Sequence, residues 1–425
     1  MNVWQLLTDR KFSRLLRLRW TGQMTDGIFQ SALASFVLFS PERQANALNA
    51  ALAFAVVLLP YSLIGPFVGT ILDRISRQRA IMFSNLTRSA TLSVIALLIF
   101  QGRTGVELTI FVLIAFGINR LILAGLSAGI PLMIESKSLI SANALAVTGG
   151  SVWVVLGGGI GLGLRRLLNG DTTADHADGY IILVAAAGYL LAALFASLLK
   201  KKEIGPLDHE IKNASFAQGI IEMREGIRFL RQHIDAARGI AAIAIHRGGI
   251  TALTLIALLL ERNTFNDPAD SEAGLAGLSF TLSIAAVGFV VGAVAAPYGV
   301  RKVGRHRWMR FSLIASTCGP LFILFVRTPL TLICAAFVTA LFGQSLKVTN
   351  DALVQSKIDD IYRGRVFSVY DVVVNGAIVS GAVTAALLLP NSGDTYVVPA
   401  LVAAIYLIAG VRLLRGGVFF APPVK

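Results

Sequence analysis

The chain has 425 residues, of which 55% are hydrophobic and 15% charged, and its mean hydropathy is +0.71. Soluble domains carry about 25% charged residues, so this composition excludes a water-soluble globular protein. The net charge of +14 does not mark a nucleic-acid binder either, because the basic residues fall in alternate short loops and not on one face.

Apolar runs near 20 residues recur along the whole length, and no ten-residue alternation appears. The expected class is therefore an all-α polytopic membrane protein, not a barrel. The N-terminal stretch MNVWQLLTDRKFSRLLRLRW is basic and partly amphipathic. It lacks a small-residue cleavage site after a short apolar core, so it reads as a lead-in to the first span and not as a removable signal.

About twelve spans are predicted, at 17–39, 47–71, 80–100, 106–133, 142–165, 179–199, 240–261, 274–299, 308–326, 329–350, 365–389 and 395–414. The long connection 200–238 divides six from six. The expected domains are a six-helix half at 1–199, a cytoplasmic linker at 200–238 and a second half at 239–425. In the linker, Phe216, Ile220, Met223, Ile227, Leu230 and Ile234 recur at helical spacing, predicting an amphipathic helix on the membrane surface or the cytoplasmic face.

Lys and Arg set the orientation. Arg10, Lys11, Arg14, Arg17 and Arg19 precede or open span one. Arg74, Arg77 and Arg79 follow span two, Lys200, Lys201 and Lys202 follow span six, and Arg301, Lys302, Arg305 and Arg307 follow span eight. The opposite loops are poorer in bases and collect acids. Both termini are thus expected on the cytoplasmic side, with the anionic leaflet of the lipid bilayer as a partner. Matching Asp73 to Arg301 gives an offset of 301 − 73 = 228, which also places Arg19 over Arg247. Equal span counts in equal orientation suggest parallel repeats about an axis along the membrane normal, the layout of a rocking transporter.

Charges inside the spans are costly and default to functional candidates. Asp26 stands seven to nine residues into span one, with Gln23 and Gln30 completing a polar stripe. It is either a proton carrier or cationic-substrate site, or the structural partner of an arginine. Arg88 lies in the cytoplasmic half of span three and is expected to snorkel to the interface. His246 and Arg247 stand close to the start of span seven, where an interfacial histidine is expected. Lys347 and Asp351 are four apart on span ten and can pair. Asp371 and Asn375 share a face in span eleven, and Asp371 is a gate candidate. Gly157 and Gly161 form G-x-x-x-G in span five, as do Gly159 and Gly163, permitting close helix packing.

Between spans two and three runs GTILDRISRQR. Positive-inside topology needs no acid there, so Asp73 should seek a cation or the positive end of a helix. This stretch resembles the loop signature of the major facilitator superfamily: Gly69, Asp73, Arg74 and Arg77 match, while Ser76 replaces the second glycine. WTGQMTDGIFQSAL, LLPYSLIGPFVG, SANALAVTGG and RGRVFSVYD are similar to stretches of its drug:proton antiporters, the macrolide-efflux-like exporters. The resemblance implies two pseudo-symmetric six-helix halves around a central cavity. It also implies a latch in which Asp73 faces the start of span eleven near Arg365 and Val366. Spans one and four would line the cavity, so Arg120, beside Asn119, would sense the protonation of Asp26. Gly158 occupies the place where those exporters carry a proline.

The expected function is proton-coupled efflux of hydrophobic or amphiphilic small molecules across the plasma membrane by a monomer, with the proton gradient as energy source and no cofactor. A lipid or lysolipid flippase, a siderophore exporter of the same fold, and a non-transporting sensor or assembly factor are the alternatives. No paired metal ligands, nucleophile elbow or Walker loop occur, so no enzyme is expected, and Cys318 and Cys334 read as small apolar residues.

Overall fold

Thr173 and Thr328 cap the helices that follow them by accepting from the backbone N–H of His176 and Thr331. The computed structural model describes residues 3–34, 36, 72, 75–103, 105–135, 138–168, 172–200, 203–205, 216–267, 271–358 and 360–414. After α1 (Val3–Thr8), Asp9 caps α2 (Arg10–Ala34) by accepting from the backbone of Lys11 at 3.1 Å and Phe12 at 2.7 Å. Then follow α3 (Arg77–Phe100), α4 (Val106–Met133), α5 (Leu139–Leu168) and α6 (Ala174–Ser197). The amphipathic helix is α7 (Phe216–Gln232). Beyond it come α8 (Ile234–Asn263), α9 (Ser271–Val303), α10 (Arg305–Ala315), α11 (Cys318–Phe325), α12 (Pro329–Lys357), α13 (Asp360–Leu388) and α14 (Val397–Ile408), the last running into a π-helical turn at Ala409–Leu413.

Eleven of the twelve expected spans fall on these helices; the second, 47–71, lies outside the described residues. Span nine, Arg305–Phe325, is one stretch long and apolar enough to cross a membrane, built from α10 and α11 with a tight turn between them. Pro320 has no N–H for the Ser316 carbonyl and its ring crowds that oxygen. The backbone tightens there instead, with Thr317 N–H donating to Ile314 and Gly319 N–H to Ser316. Gly304, at φ +84°, turns the chain sharply from α9 into α10, a conformation costly for any residue with a Cβ.

Nine stretches of the described residues are long and apolar enough to cross a membrane. Leu167, Val294, Phe325 and Leu387 are each more than 70% exposed, an outer surface suited to hydrocarbon and not to water. The chain divides into two units, the described residues through Ile220 and those from Ile221 onward. The division falls within the linker helix, most of which groups with the second unit.

In the first unit α2 lies against α5 and α6, and α3 against α4 and α6. In the second, α8 lies against α13 and α12, α9 against α12, and α11 against α12 and α14. Spans one and five thus pair as spans seven and eleven do. The 228-residue offset carries this to single contacts. Trp20 packs on Gly149, and 20 + 228 and 149 + 228 give Gly248 and Ala377, which also touch.

The α2–α5 crossing is close because glycines remove the side chains. Gly27 lies against the Val154 carbonyl, Gly157 against the Met24 carbonyl and Gly161 against Ser31, whereas Gly159 and Gly163 face open space. Gly157→Ala is expected to lower the stability of the purified protein by about 1–3 kcal/mol through overpacking. Gly159→Ala should be neutral or up to about 1 kcal/mol stabilising. Thermal unfolding of the two variants in one detergent checks this, and equal effects would contradict the assigned packing.

Candidate functional site

In the first unit the charged centre is built from α2, α3 and α6. Asp26 projects from the middle of α2 and forms an ion pair with Arg88 of α3. The Tyr189 hydroxyl of α6 donates to the same carboxylate oxygen at 2.6 Å. The Arg88 guanidinium carbon also stands 4.4 Å from the centroid of the Tyr189 ring. Asp26 is 2% exposed, Arg88 0% and Tyr189 1%, so the group is sealed. Around it Ser89 donates to the Ala186 carbonyl at 2.8 Å, tying α3 to α6, and Gly188 leaves room for Thr25 of α2. The carboxylate is thus held by a cation and a phenol from two neighbouring helices, and the group ties α2, α3 and α6 together.

Two expectations change here. Arg88 does not snorkel; it is fully buried because Asp26 satisfies it inside the bundle. The cation beside Asp26 is therefore Arg88 and not Arg120, which stands half-buried on α4 next to the buried Asn119. A sequence signal for the true partner existed. Asp26 and Arg88 stand 26 − 17 = 9 and 88 − 80 = 8 residues inside spans that run in the same direction, hence at one depth. The polar stripe also separates: Gln23 approaches α5 at Gly150, while Gln30 is exposed.

A second sealed pair, Arg165 with Asp178, joins the end of α5 to the start of α6. Sequence reasoning passed over Asp178 because it sits in an acid-rich loop. Arg77 is buried as well. Its backbone N–H donates to the Gly205 carbonyl at 3.1 Å, and its Nη1 reaches the carbonyls of Ile204 at 3.4 Å and Ala128 at 3.5 Å. It thereby pins the segment after α6 to the end of α4. The other latch candidates, Gly69, Asp73 and Arg74, lie outside the described residues.

The second unit holds a different arrangement. On α12, Asp351 accepts from Lys347 Nζ at 2.5 Å and, on its other oxygen, from the Tyr370 hydroxyl of α13 at 3.0 Å. Arg247 of α8 lies within electrostatic reach of both Asp351 and Tyr370, with its guanidinium carbon 5.5 Å from the Phe289 ring centroid of α9. Unlike Asp26, this carboxylate is open: the Asp351 side chain is 23% exposed and that of Lys347 38%. The neighbouring Asp371 and Asn375 are half-buried on α13.

His246 is packed inside its unit. It is 1% exposed and stacks on Tyr406 of α14 with centroids 5.1 Å apart, and the Tyr406 hydroxyl donates to the His246 carbonyl at 2.7 Å. Arg365, at the start of α13, pairs with Glu225 of the linker helix at 2.6 Å, and Gly226 lies against its backbone. Sequence reasoning also missed the buried Glu261 near the end of α8, which accepts weakly from Asn266 at 3.4 Å and Thr281 at 3.5 Å. No group of three or more His, Cys, Asp or Glu among the described residues could hold a metal ion.

No protein-family model matches the chain. Two relatives, uncharacterized MFS-type transporters of Mycobacterium bovis and Mycobacterium tuberculosis, are each 30% identical over 410 residues, 96% of this chain and 91% of theirs. Macrolide efflux protein A of Streptococcus pyogenes is 22% identical over 386 residues, 88% of this chain and 89% of its own. Among solved structures, the nucleoside transporter NupG superposes with a TM-score of 0.68 at 10% identity over 97% of this chain and all of that one. A D-xylose-proton symporter does so at 0.67 and 13%, over 95% of this chain and 98% of its own. The E. coli fucose:proton symporter FucP gives 0.59 and 15%, over 94% and 97%.

Removing one partner of a buried ion pair costs about 3–5 kcal/mol, because the other charge stays buried and unanswered. Asp26→Asn and Arg88→Gln are each expected to destabilise the protein by that order, and Asp26→Asn/Arg88→Gln to recover much of the loss. A double-mutant cycle on thermal unfolding checks it. An Asp26→Asn protein as stable as wild type would contradict a structural role.

Proposed function

The chain belongs to the major facilitator superfamily of transporters, and we propose that it exports hydrophobic or amphiphilic small molecules by alternating access, driven by a proton gradient. The Asp351 cluster carries this reading. It is a carboxylate inside an apolar helix, open to exchange, and bracketed by Lys347 and Tyr370 with Arg247 close by. Ionised, Asp351 balances the cations and accepts the tyrosine proton. Protonated, it leaves Lys347 and Arg247 facing a neutral acid, and their repulsion favours a different arrangement of α8, α12 and α13. A proton then acts as a ligand with unequal affinity for two states, which any proton-coupled cycle requires.

The sealed Asp26 does not meet that requirement, so its role here is to hold α2, α3 and α6 together. The export direction is supported by the likeness to macrolide efflux protein A. The apolar substrate class is supported by the same likeness and by the scarcity of charge in the spans. The alternating Lys and Arg counts support a plasma-membrane orientation with both termini cytoplasmic.

The test uses purified protein in liposomes with an imposed pH gradient, a panel of lipophilic fluorescent compounds and a macrolide. Substrate flux and internal pH are recorded together. Wild type is expected to move substrate and protons in opposite directions. Asp351→Asn should lower proton-driven flux by roughly a hundredfold, the scale of a lost proton-transfer group, while retaining substrate exchange without a gradient and its thermal midpoint. Coupling intact in Asp351→Asn would remove this residue from the cycle. No coupled flux with any compound would remove the exporter reading.

A further inference from the structure

In the second unit, α8 packs against α14 and the π-helical turn that ends it, and a shallow, open groove of about 400 Å³ runs between them. Arg238 and Arg412 line it together with Ile245, Ile405 and Ile408. No acidic side chain stands among the described lining residues. We propose that this groove binds an anionic phospholipid, with the headgroup phosphate between Arg238 and Arg412 and an acyl chain along the three isoleucines.

The spacing supports this division. Ile245 follows Arg238 by seven residues on α8, and Ile405 of α14 precedes Arg412 of the π turn by seven. At 1.5 Å per residue both isoleucines sit about 10 Å deeper than the charges, one charged level above one apolar level on two neighbouring helices. The surrounding surface is apolar: Ile405, Ile408 and Val411 are exposed. A positive-inside bias explains a count of cations on one side. It does not explain why two cations 174 positions apart (412 − 238) converge on one groove. The π turn at Ala409–Leu413 adds a local cause. Its wider winding changes the face that Arg412 would present on a regular α-helix, and Arg412 lines the same groove as Arg238. The charged level coincides with the cytoplasmic leaflet, where anionic headgroups lie, in the orientation proposed above. The inference does not depend on which compound is carried.

Native mass spectrometry of the full chain, in detergent with equimolar phosphatidylglycerol and phosphatidylcholine of the same chain length, tests the site. Wild type is expected to retain phosphatidylglycerol over phosphatidylcholine by about tenfold, on the scale of two interfacial arginines. Arg238→Gln/Arg412→Gln should bring the ratio near parity. Arg301→Gln/Arg307→Gln, an equal charge change at exposed positions outside the groove, should leave it unchanged. Unaltered preference in the groove variant, or an equal fall in the control, would overturn the proposal. So would competition by the chainless headgroup glycerophosphoglycerol at the same concentration as the lipid. Should the double variant fail to fold, Arg412→Gln alone, at an exposed position, must lower the ratio in the same direction.

Discussion

Hydrocarbon offers no water to a buried polar group, so each charge that folds into this protein must be answered by another part of the chain. The Asp26–Arg88–Tyr189 group meets that constraint across three helices of the first unit. Arg165 and Asp178 meet it between α5 and α6, and Arg77 meets it with backbone carbonyls where the loops converge. None of these helices would pack with the same face if its charge had a different partner. An ion pair in water contributes little, because the unpaired charges are well solvated. Here the unpaired alternative is a bare charge in an apolar bundle, so the pairs select one packing among many apolar ones.

Close packing follows from a second device. Gly27 and Gly157 let α2 and α5 approach until each glycine meets a backbone carbonyl, and Gly248 and Gly381 do the same between α8 and α13. The 228-residue offset maps one crossing onto the other while exchanging which side carries bulk. Trp20 fills the first crossing against Gly149, where Gly248 meets Ala377 in the second. The repeats thus share helix pairing and register but not side chains, which is why little identity survives between the halves.

Much of this was legible before any coordinates. Span positions follow from hydropathy, because a bilayer demands long apolar runs whatever their order. The exceptions have local causes: Pro320 puts a tight turn within span nine, and the basic start of α2 extends that helix seven residues before the apolar run begins. Partners of charged residues were harder to read. Hydropathy locates a charge in depth but says nothing of its azimuth, and azimuth decides whether Arg88 meets lipid headgroups or Asp26. Equal depth was a usable clue for that pair. For His246 no such clue exists, since its burial depends on Tyr406, 160 residues away on another helix. Arg365 illustrates the same limit, since its contact with Glu225 joins the start of α13 to the linker helix, a proximity no periodicity encodes.

Asp26 and Asp351 are alike in sequence terms: each is an acid in an apolar helix with a cation and a tyrosine as eventual partners. They differ in access. Asp26 is closed on every side, so changing its protonation means undoing the contacts that define the first unit. Asp351 shares its cation with the next turn of its own helix and keeps about a quarter of its surface open, so the same change disturbs only Lys347, Tyr370 and the nearby Arg247. A titrating group is useful to a transporter only if charging it costs less than the fold can supply while still biasing one arrangement over another. In the proposed cycle the first unit's ion pair therefore holds helices together, and the second unit's open cluster, with partners on α8, α12 and α13, is the one assigned to coupling.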